Sequence, residues 1–332
     1  MKYRFQCLNC HNQIAPDPHV ITCNEFGCNN EVLEIVYTNK NDITSSRYSV
    51  PLSKPSNLIN LGQGNTPIIK LNTLSKELNL DIFAKLEYMN PTGSFKDRGS
   101  SMMISALKEF DINQIVEDSS GNAGASISAY SAYSKITSHI FVPENAPKNK
   151  VAQIELYGSK VYKINGPRDN ATKAAIKYSN ENTIPYSSHN LSPFFIEGTK
   201  QFAFEIAQDM YPLPDHILFP TGNGSLLLGA WRGFWEMGLH CPKLYAIQSE
   251  LCNPIVSGIS GSNLMNSSRK TQTIAGGIAV ENPPRLKQCI QAIRNTKGEA
   301  ISVSEIQISI MQRKLAALEG LLIEPTSAAA LA

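Results

Sequence analysis

The sequence predicts an α/β protein of two lobes, built on mostly parallel sheets covered by helices and preceded by a small cysteine-bearing module. Three observations predict it. Short β-branched runs alternate with longer helical patterns from Ile82 onward, the rhythm of parallel sheets. The chain has 332 residues, more than one ordinary core holds. Four of its 7 cysteines fall in two pairs ahead of that alternation.

In chain order, residues 1–36 form the cysteine module, and the polar stretch Thr38–Asn57 leads into Leu61–Pro67. Ile82–Leu86 reads as a strand. A turn follows at Asn90–Gly93, with Asn first, Pro second and Gly fourth, as a type I turn favours. Met102, Met103, Ala106, Leu107 and Phe110 recur at helical spacing, so Arg98–Phe110 is expected to be a helix. Next come a strand at Gln114–Glu117, a helix at Asn122–Ser134 and a strand at His139–Val142. A helix starts at Pro147 and is ended by Gly158, before a strand at Lys160–Ile164. A helix follows Pro193, and the strand Ile217–Phe219 precedes a helix after Gly224. Leu244–Ile247 is a further strand. Ser257–Lys270, rich in Ser, Gly and Asn, reads as a mobile surface loop.

Composition narrows the function. With 42% hydrophobic and 17% charged residues the chain is globular. Lys+Arg 30 against Asp+Glu 28 leaves no basic excess to draw nucleic acid. No apolar run reaches the roughly 18 residues of a membrane helix, and Met1–Phe5 is followed by no signal-peptide core. A cytoplasmic protein without membrane or nucleic-acid partners is expected, its cysteines thiols or metal ligands rather than disulfides.

The chemistry concentrates in three segments. Asn90-Pro-Thr-Gly-Ser-Phe-Lys-Asp-Arg-Gly99 puts Lys96 where a turn meets a helix start. The positive end of the helix dipole disfavours an ammonium there, lowers the lysine pKa and favours the neutral amine that attacks an aldehyde. Ser119-Ser120-Gly121-Asn122-Ala123 follows a strand and opens a helix, where backbone N–H groups can bind a carboxylate. Gly222-Asn223-Gly224-Ser225-Leu226 repeats that setting and could surround a phosphate, although no Walker lysine follows.

Together these segments resemble the threonine synthase branch of the fold-type II pyridoxal-phosphate enzymes, within the tryptophan synthase β superfamily. Ile274–Val280 and Glu324–Ala330 resemble it too, so the likeness covers nearly the whole chain. The resemblance implies that Lys96 holds pyridoxal 5'-phosphate as a Schiff base and, once freed, removes the substrate Cα proton. Asn122 contacts the cofactor's ring oxygen, Ser119, Ser120, Gly121, Asn122 and Ala123 receive the substrate carboxylate, and Gly222, Asn223, Gly224, Ser225 and Leu226 hold the phosphate. It also implies a large cofactor-binding lobe at 37–97 and 190–332, a small lobe at 98–189, and a homodimer. The expected reaction converts O-phosphohomoserine and water to threonine and phosphate, a step of threonine biosynthesis.

Cys7, Cys10, Cys23 and Cys28 read C-x2-C-x12-C-x4-C and resemble a zinc ribbon. The second spacing departs from C-x2-C, and His11 and Asn29 stand where knuckles carry Gly. Structural zinc is expected, with metal-free cysteines the alternative. Cys241, Cys252 and Cys289 are expected as small buried apolar residues.

Two departures matter. Relatives carry Asn-Pro-x-Arg-x-Glu-Gly, whose arginine binds the substrate phosphate; here Ser192–Gly198 puts Phe195 in that place, and a phenyl ring makes no charge-assisted contact. Lys148, Lys150, Lys200 and His189 are the candidate substitutes; for His189 a structural role is the competing reading. The chain also stops at Ala332, before the strand and hydroxyl turn that meet the pyridine nitrogen. Truncation is expected, with Ser327 making that contact as the alternative. Phe195 keeps a second reading open, a serine/threonine ammonia-lyase or a β-replacement synthase acting on O-phosphoserine. A non-catalytic binding fold would lack Lys96 or Asn122, and neither is lacking.

Overall fold

The computed structural model describes residues 2–38, 49–261 and 273–332. Residues 262–270 of the predicted Ser257–Lys270 loop lie outside this set, and Ser257–Ser260 complete a helix instead.

The chain opens on β1 (Tyr3–Cys7), β2 (Gln13–Ile14) and β3 (Leu33–Tyr37). They pair antiparallel in the order β2-β1-β3, with Phe5 opposite both Ile14 and Ile35. Tyr3, Phe5 and Cys7 are buried while Arg4 is exposed, the period of a half-buried strand. Then follow β4 (Ile68–Lys70), α1 (Asn72–Leu78) and β5 (Phe83–Lys85), with β4 antiparallel to β5. After them come α2 (Lys96–Glu109), β6 (Gln114–Glu117), α3 (Asn122–Ser134), β7 (Thr137–Pro143) and α4 (Lys148–Leu156). The middle of the chain holds β8 (Lys160–Ile164), α5 (Arg168–Asn182), α6 (Pro193–Thr199) and α7 (Gln201–Asp209). Next are β9 (His216–Pro220), α8 (Ser225–Glu236), β10 (Lys243–Ser249) and α9 (Pro254–Ser260). The last are α10 (Leu286–Asn295), β11 (Ala300–Val303), α11 (Glu305–Glu319) and α12 (Pro325–Ala328).

Two compact units result, Met1–Gly64 with Met89–Gln201, and Asn65–Tyr88 with Phe202–Ala332. In the first, β6, β7 and β8 form a parallel sheet on which α3 and α5 pack. In the second, β9, β10 and β11 form a parallel sheet with β10 central.

Helix α2 is buried from Asp97 to Leu107 and lies against α3 and α6. Glycine permits its approach to α6. A Cβ at Gly198 would stand 2.0 Å from the Arg98 carbonyl oxygen, and one at Gly99 would meet the Phe195 ring at 2.4 Å. A larger residue at Gly198 would have to move a helix, and one at Gly99 would have to displace the Phe195 ring. The amino-terminal sheet joins the same core: Tyr3, Phe5, Leu33 and Ile35 cluster with Met102, Met103, Leu107, Phe194 and Phe195.

Candidate active site

Lys96 is the first residue of α2, as its turn-to-helix context predicts. The turn before it closes through Gly93 N–H donating to the Asn90 carbonyl at 2.8 Å, and Gly93 takes a left-handed φ of 87°. Asp97 ties this turn to α3. Its carboxylate accepts from the Thr92 N–H at 2.7 Å, the Thr92 hydroxyl at 2.5 Å and the Ser126 hydroxyl at 2.5 Å. The Lys96 ammonium lies over two rings, 4.5 Å from the centre of Phe95 and 6.0 Å from that of Phe195.

The Ser119–Ala123 turn leaves β6 and opens α3, with Asn122 as the helix's first residue. The first N–H groups of a helix have no carbonyl partner within it, so this turn presents donors to an anion. It is tightly folded: a Cβ at Gly124 would stand 2.0 Å from the Ser119 carbonyl oxygen. Lys150 of α4 donates to Asn122 Oδ1 at 2.8 Å, which brings one candidate cation to this turn. The others are placed differently. Lys148 is exposed at the start of α4. Lys200 is buried and ion-paired with Glu197 at 2.5 Å, and also donates to the Ser49 carbonyl. Its charge is therefore already balanced.

Phe195 is fully buried, edge-on to the His189 ring with centroids 5.9 Å apart. His189 Nδ1 meets Glu117 Oε1 at 2.6 Å, and its backbone N–H donates to Glu117 Oε2 at 3.1 Å. Burial, and the Asp118 charge beside it, push the Glu117 carboxyl well up. Burial first, then the charges of Lys96 and Arg168, hold the His189 imidazole well below its ordinary value. Sequence reading marked His189 but missed Glu117, which stands 72 residues away in the chain.

In the second unit Gly222–Leu226 leave β9 and enter α8. Gly224 has a φ of 80°, and a Cβ there would lie 2.1 Å from the Cys289 sulfur. A Cβ at Gly222 would crowd Val280, Ile278 and the Gly277 carbonyl at 3.0 to 3.2 Å. The Gly277 N–H donates to Thr326 Oγ1 at 3.0 Å, so the Ile274–Val280 segment links the glycine turn to the start of α12. Ser327 lies in α12, half-buried, with its N–H on the Glu324 carbonyl. The Asn223 Oδ1 atom is buried without a hydrogen-bond partner, an orphaned polar group of the kind a ligand satisfies once the amide is turned to donate. Within this unit, a glycine-bearing turn at a helix start with an orphaned amide suits an anionic group such as a phosphate.

The sulfurs of Cys7, Cys10, Cys23 and Cys28 all lie within 4.8 Å of one another. Cys7 and Cys28 are 3.8 Å apart, as are Cys10 and Cys23. Burial pushes the Cys7 thiol up, but hydrogen bonds from N–H groups outweigh it and leave it at about 7. Four thiols at this spacing fit tetrahedral zinc, whose bonds to sulfur are roughly 2.3 Å.

The family model described as pyridoxal-phosphate dependent enzyme matches residues 59–332. The threonine synthase of Methanocaldococcus jannaschii is 31% identical over 98% of this chain and 85% of that protein. A threonine synthase from a Bacillus species is 34% identical, covering 85% of this chain and 80% of its own. Among solved structures, maize serine racemase superposes with a TM-score of 0.73 at 22% identity, over 81% of this chain and 82% of that one; at that identity the likeness is one of fold. The chain belongs to the pyridoxal-phosphate-dependent enzymes of fold type II, in their threonine synthase-like branch.

Proposed function

We propose that this enzyme is a threonine synthase that turns O-phosphohomoserine and water into threonine and phosphate. The observation that carries the reading is Lys96 at the start of α2, tied through Asp97 to the helix that Asn122 opens, in a chain whose threonine synthase relatives match it almost end to end.

When bound, the cofactor supplies an electron sink for the substrate Cα. Lys96 holds it and then takes the Cα proton, its amine flanked by Phe95 and Phe195. Asn122 orients the ring oxygen, and the N–H groups of Ser119–Ala123 fix the substrate carboxylate. Gly222–Leu226 would bind the cofactor phosphate through the open N–H groups of α8, with Ser327 the alternative hydroxyl for the pyridine nitrogen. Lys150, already beside Asn122, is the cation we assign to the substrate phosphate. Cys7, Cys10, Cys23 and Cys28 hold a structural zinc with no open position for substrate. These roles follow a division into a zinc-ribbon-like module at 1–36, a cofactor lobe at 37–97 and 190–332, and a small lobe at 98–189. Four free thiols at ligand spacing support a reducing, cytoplasmic setting.

A second reading has its own observation. Phe195 is buried where the resemblance places an arginine, and Lys200 is balanced by Glu197. That favours an uncharged leaving group, as on serine or threonine. One assay separates the two: products from phosphohomoserine, O-phosphoserine, serine and threonine with cofactor-loaded enzyme. Threonine and phosphate from the first support the synthase. A keto acid from the hydroxyl amino acids, with phosphohomoserine untouched, replaces it with the ammonia-lyase.

A further inference from the structure

Glu117 ends β6 one residue before the Asp118–Ser119 step into the substrate turn, and it is completely buried. The His189 backbone N–H donates to one of its carboxyl oxygens, and His189 Nδ1 shares a hydrogen bond of 2.6 Å with the other. The His189 side chain is 5% exposed, and Nε2 has no hydrogen bond to any described residue. Phe195 lies edge-on to this imidazole, and the centre of its ring is 6.0 Å from Lys96 Nζ. An imidazole held at Nδ1 by a buried carboxyl group, with Nε2 unclaimed and its Phe195 neighbour shared with the reacting lysine, has the construction of an acid–base pair.

We propose that Glu117 and His189 form a second acid–base group of the site, in which His189 Nε2 takes the proton of the water whose oxygen bonds to the substrate side chain. The inference rests on the synthase reading, in which water is added. In the step the carbon–oxygen bond forms at Cβ, the Cα–Cβ π bond left after loss of phosphate breaks, and its electron pair moves to Cα, which Lys96 reprotonates. The water O–H bond breaks and its proton goes to Nε2. The proton on Nδ1 shifts toward Glu117, so the pair gains one proton and returns it to solvent afterwards. Glu117 is the positioning residue, since it acts through the imidazole. The charged and titratable groups around the pair are Asp118 next in the chain, Lys96 on α2, Arg168 on α5 and Tyr186. Burial first, then Lys96 and Arg168, disfavour a charged imidazole, which leaves it neutral before the proton transfer. The two groups titrate as one unit.

The test has two arms. Nitrogen NMR of the cofactor-loaded enzyme, labelled in histidine, should show His189 at neutral pH with Nδ1 protonated and Nε2 bare. A protonated Nε2 with bare Nδ1 overturns the proposal, whatever the turnover. In the second arm, His189→Gln should lower kcat about 100-fold, the ordinary scale for a lost acid–base group, with cofactor occupancy retained. It should also abolish the acid limb of the kcat profile, because the pair must be deprotonated to accept. Glu117→Gln should keep that limb but move it to lower pH, since it removes the negative charge that favours the proton. An unchanged limb and near-normal kcat in His189→Gln overturn the assignment. Wild-type turnover of phosphohomoserine tests the synthase reading separately, and the NMR arm decides the pair even if that turnover is absent.

Discussion

Phe195 occupies the space that a methyl group on Gly99 would need. Gly99→Ala therefore gains helix propensity but overpacks the ring, for a net loss of about 1–3 kcal/mol, read from urea midpoints. Phe195→Arg puts a guanidinium into a buried place and should cost about 3–5 kcal/mol unless an anion pairs with it. Inorganic phosphate should then raise the melting temperature of the variant more than that of the wild type, and KM for phosphohomoserine should fall. Equal response of both proteins to phosphate would remove Phe195 from the substrate's surroundings. Borohydride reduction of loaded enzyme and peptide mapping should place the label on Lys96; label on another lysine would refute its role. The helix-start positions of Lys96 and Asn122 and the glycine turn before α8 were legible because each lies in a run of consecutive residues with its own turn chemistry. The Glu117–His189 and Asp97–Ser126 partnerships were not, because folding alone brings them together across the chain. Lys200 was offered as a free cation although Glu197 stands three residues before it, spacing at which helical side chains meet.

At the scale of elements, Asp97 joins the lysine turn to α3 through three accepted hydrogen bonds. Asp97→Asn weakens all three and should cost roughly 1–3 kcal/mol, with looser cofactor binding seen as faster loss on dialysis. Glu305, at the start of α11, accepts from the Ser249 hydroxyl, the Thr273 hydroxyl and the Ile274 N–H. Partial burial pushes its carboxyl up, but these hydrogen bonds prevail and hold it below the ordinary value. A depressed folded pKa gives stability that is present above the unfolded value, about 4.3, and is lost as pH falls through the folded one. Glu305→Gln should accordingly lower the melting temperature at pH 7 and leave it closer to wild type at acid pH. Elements bounded by strong punctuation were readable: α3 behind its glycine turn, α4 between Pro147 and Gly158, α6 at Pro193. Helix α5 escaped because its buried positions are Ala171, Ala175 and Ser179, too small to mark an apolar stripe. Helix α11 carries its signal in the reciprocal cap between Ser304 and Gln307. The opening strand Tyr3–Cys7 alternates, but it is short and ends in the cysteine spacing that dominates its segment.

For the whole molecule, the amino-terminal sheet and helices α2 and α6 share one apolar cluster, with Phe5 and Phe194 at 5.3 Å. A zinc ion on the four thiols would hold that sheet's loops in place, so its removal should reach the site through packing. We expect one zinc per chain by elemental analysis, and a chelator should lower both the melting temperature and cofactor retention together. Retained stability with lost turnover would instead mean a catalytic metal. The same shared cluster bears on protein engineering. Cutting the chain after residue 36 to obtain a lean catalytic fragment would strip Tyr3, Phe5, Leu33 and Ile35 from the floor beneath α2. The fragment would display Met103, Leu107 and Phe194 to water as a sticky face, and its fate in a cell would be aggregation or proteolysis rather than faster turnover.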